Sequence, residues 1–524
     1  MARCTRWFHA GDSSSSGAGV RPARLEVSAA ALLLSLAPGA HLTPVLALAC
    51  DPIEEVSSDE LGDNARVLID PVGNVYAWWE FGSSQDHFAI RPPGGPFGAP
   101  QGSPEMFDPF DNRSLQIGFD SAGNAIFMWN GGSSLKTAYR SAGASGTFGP
   151  VQSLGDDSAF DLSVNSAGDA MVIWDETAFG GSAIQVAFRP AGSDTLFGTP
   201  QTLASEYGAS VAVVLDDDRS AVTAWLQTST GPFKQATQPM GSTDVDFTVS
   251  GSTISTMGSS PVFFGKASGP GGRAVMVAYW GPANQADIYA SLRDPGGEFG
   301  PLNNISGIGT EHNIEPRSSV GPDGDVAVAW LLRDSSTQPC IATPELKVAV
   351  SKSAPGSGFS PPFFYDSGEG LGGAPDVAAL PASAALAVSD EVLTSDCSTL
   401  RIVAGDGSST DVLSDLTVAT VFDPSIAGDS QGSTYVVWES TTVGGKRIRG
   451  RFCSAPCDFP LDLVLSDDTI TTEVVQQACN SITTGPNFAV QGPGGDLTLL
   501  APLVILGSGT SAGVDARLTV GPQP

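Results

Sequence analysis

The chain has 524 residues, of which 56 are acidic and 25 basic, for a formal charge of −31 at pH 7. Such a field repels nucleic acid and anionic lipid, which excludes a phosphate-backbone binder, and a hydrophobic content of 41% excludes a mainly disordered chain. The 62 glycines and 38 prolines imply many turns.

Residues 1–49 read as a secretory leader. Arg3, Arg6, Arg21 and Arg24 precede the apolar stretch VSAAALLLSLAPGAHLTPVLALA, which ends in the small residues Ala47-Leu48-Ala49 that a signal peptidase needs. No later segment offers about 20 uninterrupted apolar residues. The mature chain is therefore expected to lack an integral membrane segment and to be secreted or held at the cell surface. Cys50 follows the leader, but Ala47 stands where a lipobox carries a larger aliphatic residue, so lipid attachment is the minor reading. Cys50, Cys340, Cys397, Cys453, Cys457 and Cys479 remain after the leader, an even set that permits disulfides without fixing their pairing. The CSAPC spacing of Cys453 and Cys457 reads as a local staple in a loop, not a redox centre. His87 and His312 have no companion at metal-ligand spacing.

One phrase then recurs: IDPVGNVYAWW, FDSAGNAIFMW, VNSAGDAMVIW, GPDGDVAVAW and, varied, QGSTYVVW. Each is a short β run, a turn carrying Gly, and a second β run closed by Trp. Gly73 leads to Trp79, Gly123 to Trp129, Gly168 to Trp174, Gly324 to Trp330 and Gly432 to Trp438. Stretched forms end at Trp225 and Trp280, and degraded forms lie near Ala387 and Ala501, making nine units at intervals of roughly 50 residues. A third run ends at Arg91, Arg140, Arg189 or Arg293, and a Phe-Gly-x-Pro segment follows at Phe97, Phe148, Phe197 and Phe299.

Four short strands per unit, without a helical stretch, predict an all-β fold: a single β-propeller of about nine four-stranded blades over residues 60–524. The alternative is eight blades, with a degraded unit near 340–415 set aside as an insertion. The last unit shows no obvious fourth strand, and the N-terminal segment 50–59 is available to supply it and close the ring. In the phrase itself, Asp120 caps the turn and Gly123 takes the left-handed conformation. Beyond it Ala125, Phe127 and Trp129 alternate with Ile126 and Met128, so both strand faces are apolar, as a sheet sandwiched between neighbours requires. The Trp is expected to fill the space between blades.

The pattern Asp-x-x-Gly-Asn/Asp-Ala-x-x-x-Trp followed by Ala-x-Arg-Pro-x-Gly-Gly-x-Phe-Gly-x-Pro resembles the repeats of secreted bacterial β-propeller proteins, distantly similar to sialidase-like and BNR-repeat propellers. The resemblance covers residues 60 to about 520 and implies architecture. The sialidase Asp-box, Ser-x-Asp-x-Gly-x-Thr-Trp, keeps its Gly and Trp here at a different spacing and lacks the Thr. Sialidase chemistry would also call for an arginine cluster gripping a carboxylate, a Tyr nucleophile activated by Glu, and an Asp acid. Arg91, Arg140, Arg189 and Arg293 recur at matching places in the repeat, which points to structural positions on the rim, paired with Asp70 and Asp120.

Asp216 to Asp218 in LDDDRS form the Ca²⁺ candidate, set against a solvated acidic turn. Glu80, Asp175, Glu176 and Glu439 follow repeat tryptophans and either ring one end of the channel or face water. No nucleophile-elbow, phosphate-loop or dinucleotide motif stands in the strand-and-helix setting its chemistry needs, so no catalytic or cofactor-binding residue is assigned and the metal site is left unknown. The expected function is an exported, non-catalytic, monomeric propeller binding a glycan or extracellular protein. Its alternative is a sialidase-like glycoside hydrolase or polysaccharide lyase. The variable units at 332–415 and 451–485 carry most cysteines and are where specificity is expected.

Overall fold

The structure is a computed structural model. It describes residues 49–454, less short stretches between strands of which the longest are 103–114 and 334–345, and nine strands between 462 and 521. The expected leader lies outside the described residues apart from Ala49, as do Cys340, Cys457, Cys479 and the degraded anchor at Ala501. The chain divides into two compact units, 1–453 and 454–524.

The first unit is a β-propeller. Among the described residues, seven antiparallel sheets are each folded from one continuous run of chain: 62–102, 116–156, 160–204, 211–255, 263–304, 312–365 and 370–412. A further, closing sheet takes Val421–Gly428, Thr434–Thr442 and Gly445–Ser454 from the end of the unit and two short strands, Ala49–Cys50 and Glu54–Glu55, from its start. In the seven continuous sheets the first strand is innermost, in the closing sheet Val421–Gly428 is, and each junction between neighbouring sheets holds its own apolar cluster. The junction of the first sheet with the closing sheet is one of them, built from Val67, Ala77, Trp79, Tyr435, Val437 and Ile448, so the ring is shut.

The repeated phrase explains the construction. Gly123, at φ +81°, lets its turn close with the Gly123 N–H donating to the Asp120 carbonyl, while the Asp120 carboxylate accepts from the Asn124 N–H and side chain. Trp79, Trp129, Trp174, Trp225, Trp330 and Trp438 all lie on the second strand, fully buried, and each packs toward the preceding sheet. Burial of an indole this complete is what holds neighbouring sheets at a fixed spacing. Trp280 departs from the rule. Ala274 pairs with Arg293 as Ala125 pairs with Arg140, so the place of Trp129 is taken by Ala278, and Trp280, two residues on, is half-buried against the edge of Tyr289.

The expected single propeller of nine, or eight, four-stranded blades running to residue 524 is corrected in three ways. Two of the antiparallel sheets have five strands. The stretch 370–412, which the eight-blade version set aside as an insertion, is a sheet packed between its neighbours. The last repeat unit is not a blade at all. In the second unit Asp462–Leu465, Ser481–Thr484 and Leu503–Leu506 form one parallel sheet, and two more parallel sheets are built from the strands that follow each of them. The chain visits the three sheets in turn, three times over, in the manner of a β-solenoid. Short apolar runs between turns look alike in both architectures, because residue pattern reports burial and not which strand becomes the partner.

The cysteine reading is corrected too. Cys453 is bonded to Cys50, 403 residues away, and not held in a local CSAPC staple. That bond ties the two ends of the propeller together and leaves Cys50 no thiol for a lipid thioether.

Candidate functional site: the inner wall of the ring

The repeat arginines are packing elements. Each lies at the end of a third strand, buried, and reaches to the preceding sheet. Arg140 donates to the Tyr76 hydroxyl at 3.3 Å and stands over the Tyr76 and Phe88 rings, and Arg189 lies 5.0 Å from the centre of the Tyr139 ring. Arg293 grips Asp216 with two bonds of 2.6 and 2.7 Å. The Phe-Gly-x-Pro segments complete each junction. The N–H of Gly98, Gly149, Gly198 and Gly300 donates to the residue before the arginine, Ile90, Tyr139, Phe188 and Leu292, while Phe97, Phe148, Phe197 and Phe299 pack on the preceding sheet. The expected pairing with Asp70 and Asp120 is not what occupies those carboxylates. They accept from their own turns.

The acidic candidates are also engaged. Asp216 is taken by Arg293 and the Gly296 N–H, Asp217 accepts from the Ser166 N–H, and Asp218 from Ser220. Glu439 pairs with Lys446 at 2.8 Å and is buried, Asp175 is buried, and Glu176 accepts from Gln185. Glu80 lies on the second strand of the first sheet, opposite Asp86. Among the described residues no group of three or more His, Cys, Asp or Glu side chains is placed to hold a metal ion. No helix there is long and apolar enough to cross a membrane.

One grouping has the residue types of sialidase chemistry. The Tyr435 hydroxyl donates to Glu54 Oε1 at 2.6 Å, and Arg91 lies 3.1 Å from the same oxygen and over the Tyr435 ring. Tyr435 is wholly buried, and burial together with the Glu54 bond and charge pushes its pKa up, against the pull of Arg91. A nucleophile needs the reverse. Glu54 belongs to the N-terminal segment, so the trio latches that segment onto the closing sheet.

The wall of the channel was not singled out by the repeat, because its residues differ from unit to unit. One register position on the inner strand, facing the residue just before the repeat Trp, carries Arg66, Gln116, Asp161, Ala212 and Ser425 in the first, second, third, fourth and closing sheets. Gly265 and Arg317 hold it in the fifth and sixth sheets, and Asp376 in the seventh. Four of these side chains accept the outward N–H of the next sheet's inner strand. Gln116 Oε1 accepts from Leu162 at 2.9 Å, Asp161 Oδ2 from Val213 at 2.6 Å, Asp376 Oδ2 from Ile426 at 3.0 Å and Ser425 Oγ from Val67 at 3.4 Å. An innermost strand is a sheet edge, and these bonds satisfy backbone groups that would otherwise be stranded there.

Lys266 lies one residue beyond this position, where other sheets have Val67, Ile117, Leu162, Val213, Val377 and Ile426 and the sixth has Ser318. Its Nζ donates to the Val213 and Leu162 carbonyls and meets Asp161 at 2.7 Å, passing the fourth sheet, where the ring position is Ala212. Burial pushes the Asp161 carboxyl up, against the Lys266 ammonium and the Val213 N–H, which pull it down. A lysine interrupting an aliphatic inner strand is the signal that would have found this pair.

No protein-family model matches the chain, and no curated protein matches it. Among solved structures it is similar to an ulvan lyase presented as a new polysaccharide lyase family, at 10% identity over 76% of this chain and 95% of that one, with a TM-score of 0.40. A second polysaccharide lyase has 8% identity over 77% and 91%, TM-score 0.40. The fucose-specific lectin from Aleuria aurantia has 11% identity over 58% and 95%, TM-score 0.35.

Arg66 and Arg317, both half-buried, are the basic side chains on the wall that have no carboxylate partner among the described residues. In a molecule with more than two acids for each base, that is a local reversal of the field.

Proposed function

We propose that this is an exported propeller that binds a glycan or protein partner at the cell surface or outside the cell, without cleaving it. The observation that carries the reading is the use made of Arg91, Arg140, Arg189 and Arg293: each is spent on the junction with the preceding sheet, so they do not converge as a substrate clamp. What is left facing the channel is a polar wall on a rigid ring, suited to recognition. The resemblance of the repeat to secreted sialidase-like and BNR-repeat propellers supports an extracellular setting.

A second reading, a sialidase-like glycoside hydrolase or polysaccharide lyase, has Tyr435, Glu54 and Arg91 in its favour. Their burial in the latch speaks for binding instead.

The test is to express the full chain, locate it by cell fractionation, and probe the purified protein against glycan and surface-protein arrays. Every glycan retained is then incubated with the protein and assayed for new reducing or unsaturated ends. Retention without cleavage is the expected result. Cleaved product would give the second reading, and a protein that stays in the cytoplasm or retains nothing would end the first.

A further inference from the structure

The fifth sheet departs from the repeat twice, and the two departures touch. Ala278 stands in the tryptophan place, and across the strand pair from it, where other sheets carry His87, Lys136, Gln185, Lys234, Ala349 or Arg449, stands Tyr289. Trp280 is moved two residues on and lies opposite Asp287. Facing residues of an antiparallel pair share one side of the sheet, so Trp280, Asp287 and Tyr289 line up on the side that Ala278 turns to the fourth sheet, and Asn304 joins them as the partner of Tyr289 on the outer strand. All four are half-buried, where the other repeat tryptophans are fully buried. The Trp280 and Tyr289 rings lie 5.6 Å apart at 66°. Asn304 Nδ2 donates to Asp287 Oδ2 at 3.1 Å, and the Ser306 hydroxyl, 3.3 Å from Asp287 Oδ1, shares its one proton with Asn304 Oδ1 at 3.1 Å. The Ser306 and Gly307 N–H groups donate to that same Asn304 Oδ1, each at 3.1 Å, and fix the amide. Asp287 has no basic partner among the described residues, and a carboxylate with one donor on each oxygen keeps lone pairs that can accept more. Burial pushes its carboxyl up, against the two bonds.

We propose that Trp280, Tyr289 and Asp287 form a subsite for a neutral sugar ring, which lays its C–H face on the aromatic pair and donates its hydroxyls to the Asp287 carboxylate. An apolar platform rimmed by a few fixed polar groups is what a pyranose, apolar on one face and hydroxylated at its edge, requires. A quaternary ammonium would need ring faces around a common void, whereas these two rings meet edge to face. An acidic sugar would bring a second negative charge to Asp287 in a chain of formal charge −31. The site lies on the second to fourth strands of one sheet and not on the inner wall, and it rests on the glycan-binding reading.

The experiment is calorimetric titration of the full chain with cellohexaose, mannohexaose and xylohexaose, with oligogalacturonate as the acidic counterpart and choline as the cationic one. It is run on the wild type, Trp280→Ala, Asp287→Asn and Phe364→Ala, the last an exposed aromatic on the sixth sheet. Expected is binding of at least one neutral hexasaccharide that is at least about tenfold tighter than that of oligogalacturonate, falls at least about tenfold in Trp280→Ala and about threefold or more in Asp287→Asn, and changes less than about twofold in Phe364→Ala. A single cooperative melt above the titration temperature in each variant shows that a loss is not misfolding. Neutral binding that Trp280→Ala leaves intact overturns the site while glycan binding stands. Oligogalacturonate bound more tightly, or choline bound through Trp280 in place of the sugars, overturns the neutral-sugar assignment. If none of the three neutral hexasaccharides binds, the subsite is overturned, and the glycan-binding reading is decided by the arrays alone.

Discussion

Lys266 Nζ lies 2.7 Å from Asp161 Oδ2, although the two residues belong to the fifth and third sheets, which are not neighbours in the ring. Both side chains are 8% exposed, so the pair is desolvated and held by the Val213 N–H and carbonyl as well as by its own charge. Removing one partner leaves the other buried without compensation, which typically costs about 3 to 5 kcal/mol. Lys266→Met is expected to lose that much at neutral pH by urea unfolding, and less in acid, where the stranded Asp161 is protonated. The double variant Lys266→Met/Asp161→Asn, which removes both charges but keeps an acceptor for the Val213 N–H, should recover most of the loss. A double variant as unstable as the single one would mean that the cost lies in packing and not in charge.

Trp129 and Trp280 were equivalent in the repeat and are not equivalent in the fold. Trp129 is fully buried between the first and second sheets, and its truncation to Ala is expected to cost about 3 to 5 kcal/mol. Trp280, half-buried against Tyr289, should cost less than half as much on the same substitution. Denaturant midpoints of the two variants, compared at equal slope, decide it. Equal losses would remove the register argument that puts Ala278 in the tryptophan position.

Identical roles leave identical residues, and this is why the propeller could be read and its wall could not. Gly123 and its counterparts recur because only a left-handed turn of that shape closes the hairpin, and Trp174 or Trp330 because every junction has the same width to fill. The junction arginines recur for the same reason, but their partners, Tyr76, Tyr139 and Asp216, come from the preceding sheet, some 50 to 80 residues back, so the repeat alone does not separate a junction from a rim. On the wall the arginine occurs in two units, Arg66 and Arg317, the aspartate in two, Asp161 and Asp376, and Lys266 in one. A residue type that appears in one or two units is indistinguishable from drift until the register shows which position it occupies in each sheet. The second unit is not legible for a different reason, since its strands pair in parallel with partners on the next coil, about 20 residues away, and local alternation does not encode that choice.

The bond between Cys50 and Cys453 closes the ring on top of the pairing of Glu54–Glu55 with Gly450 and Arg449. It constrains nearly the whole propeller in the unfolded chain, for which about 2 to 5 kcal/mol is typical. Cys453→Ser and Cys50→Ser are each expected to lower the melting temperature by the same amount, and the pair of substitutions by no more than either alone. Proteolysis should then begin at the N-terminal segment. Unequal single variants would point to a partner for one of these cysteines other than the other.

Asp169 and Arg219 give the turn side of the ring a pH dependence with a definite sign. Burial pushes the Asp169 carboxyl up, but bonds from Arg219, the Ala191 N–H and Asn165, with the Arg219 charge, outweigh it and hold the group below its ordinary 3.8. Arg219 itself stands at φ +67° where other units have Gly, a strained conformation for a side-chain-bearing residue that its two bonds to Asp169 offset. Because the folded pKa lies below the unfolded one, the stabilisation is complete above the ordinary value and drains away as pH falls through the folded value. The stability difference between the wild type and Asp169→Asn should therefore be constant from neutral pH down to about 5 and shrink below pH 4. Arg219→Gly should relieve the strained turn and yet remove the same acid-sensitive difference. Urea titrations at stepped pH measure both, and a difference that persists undiminished into acid would show that the pair is not what sets it.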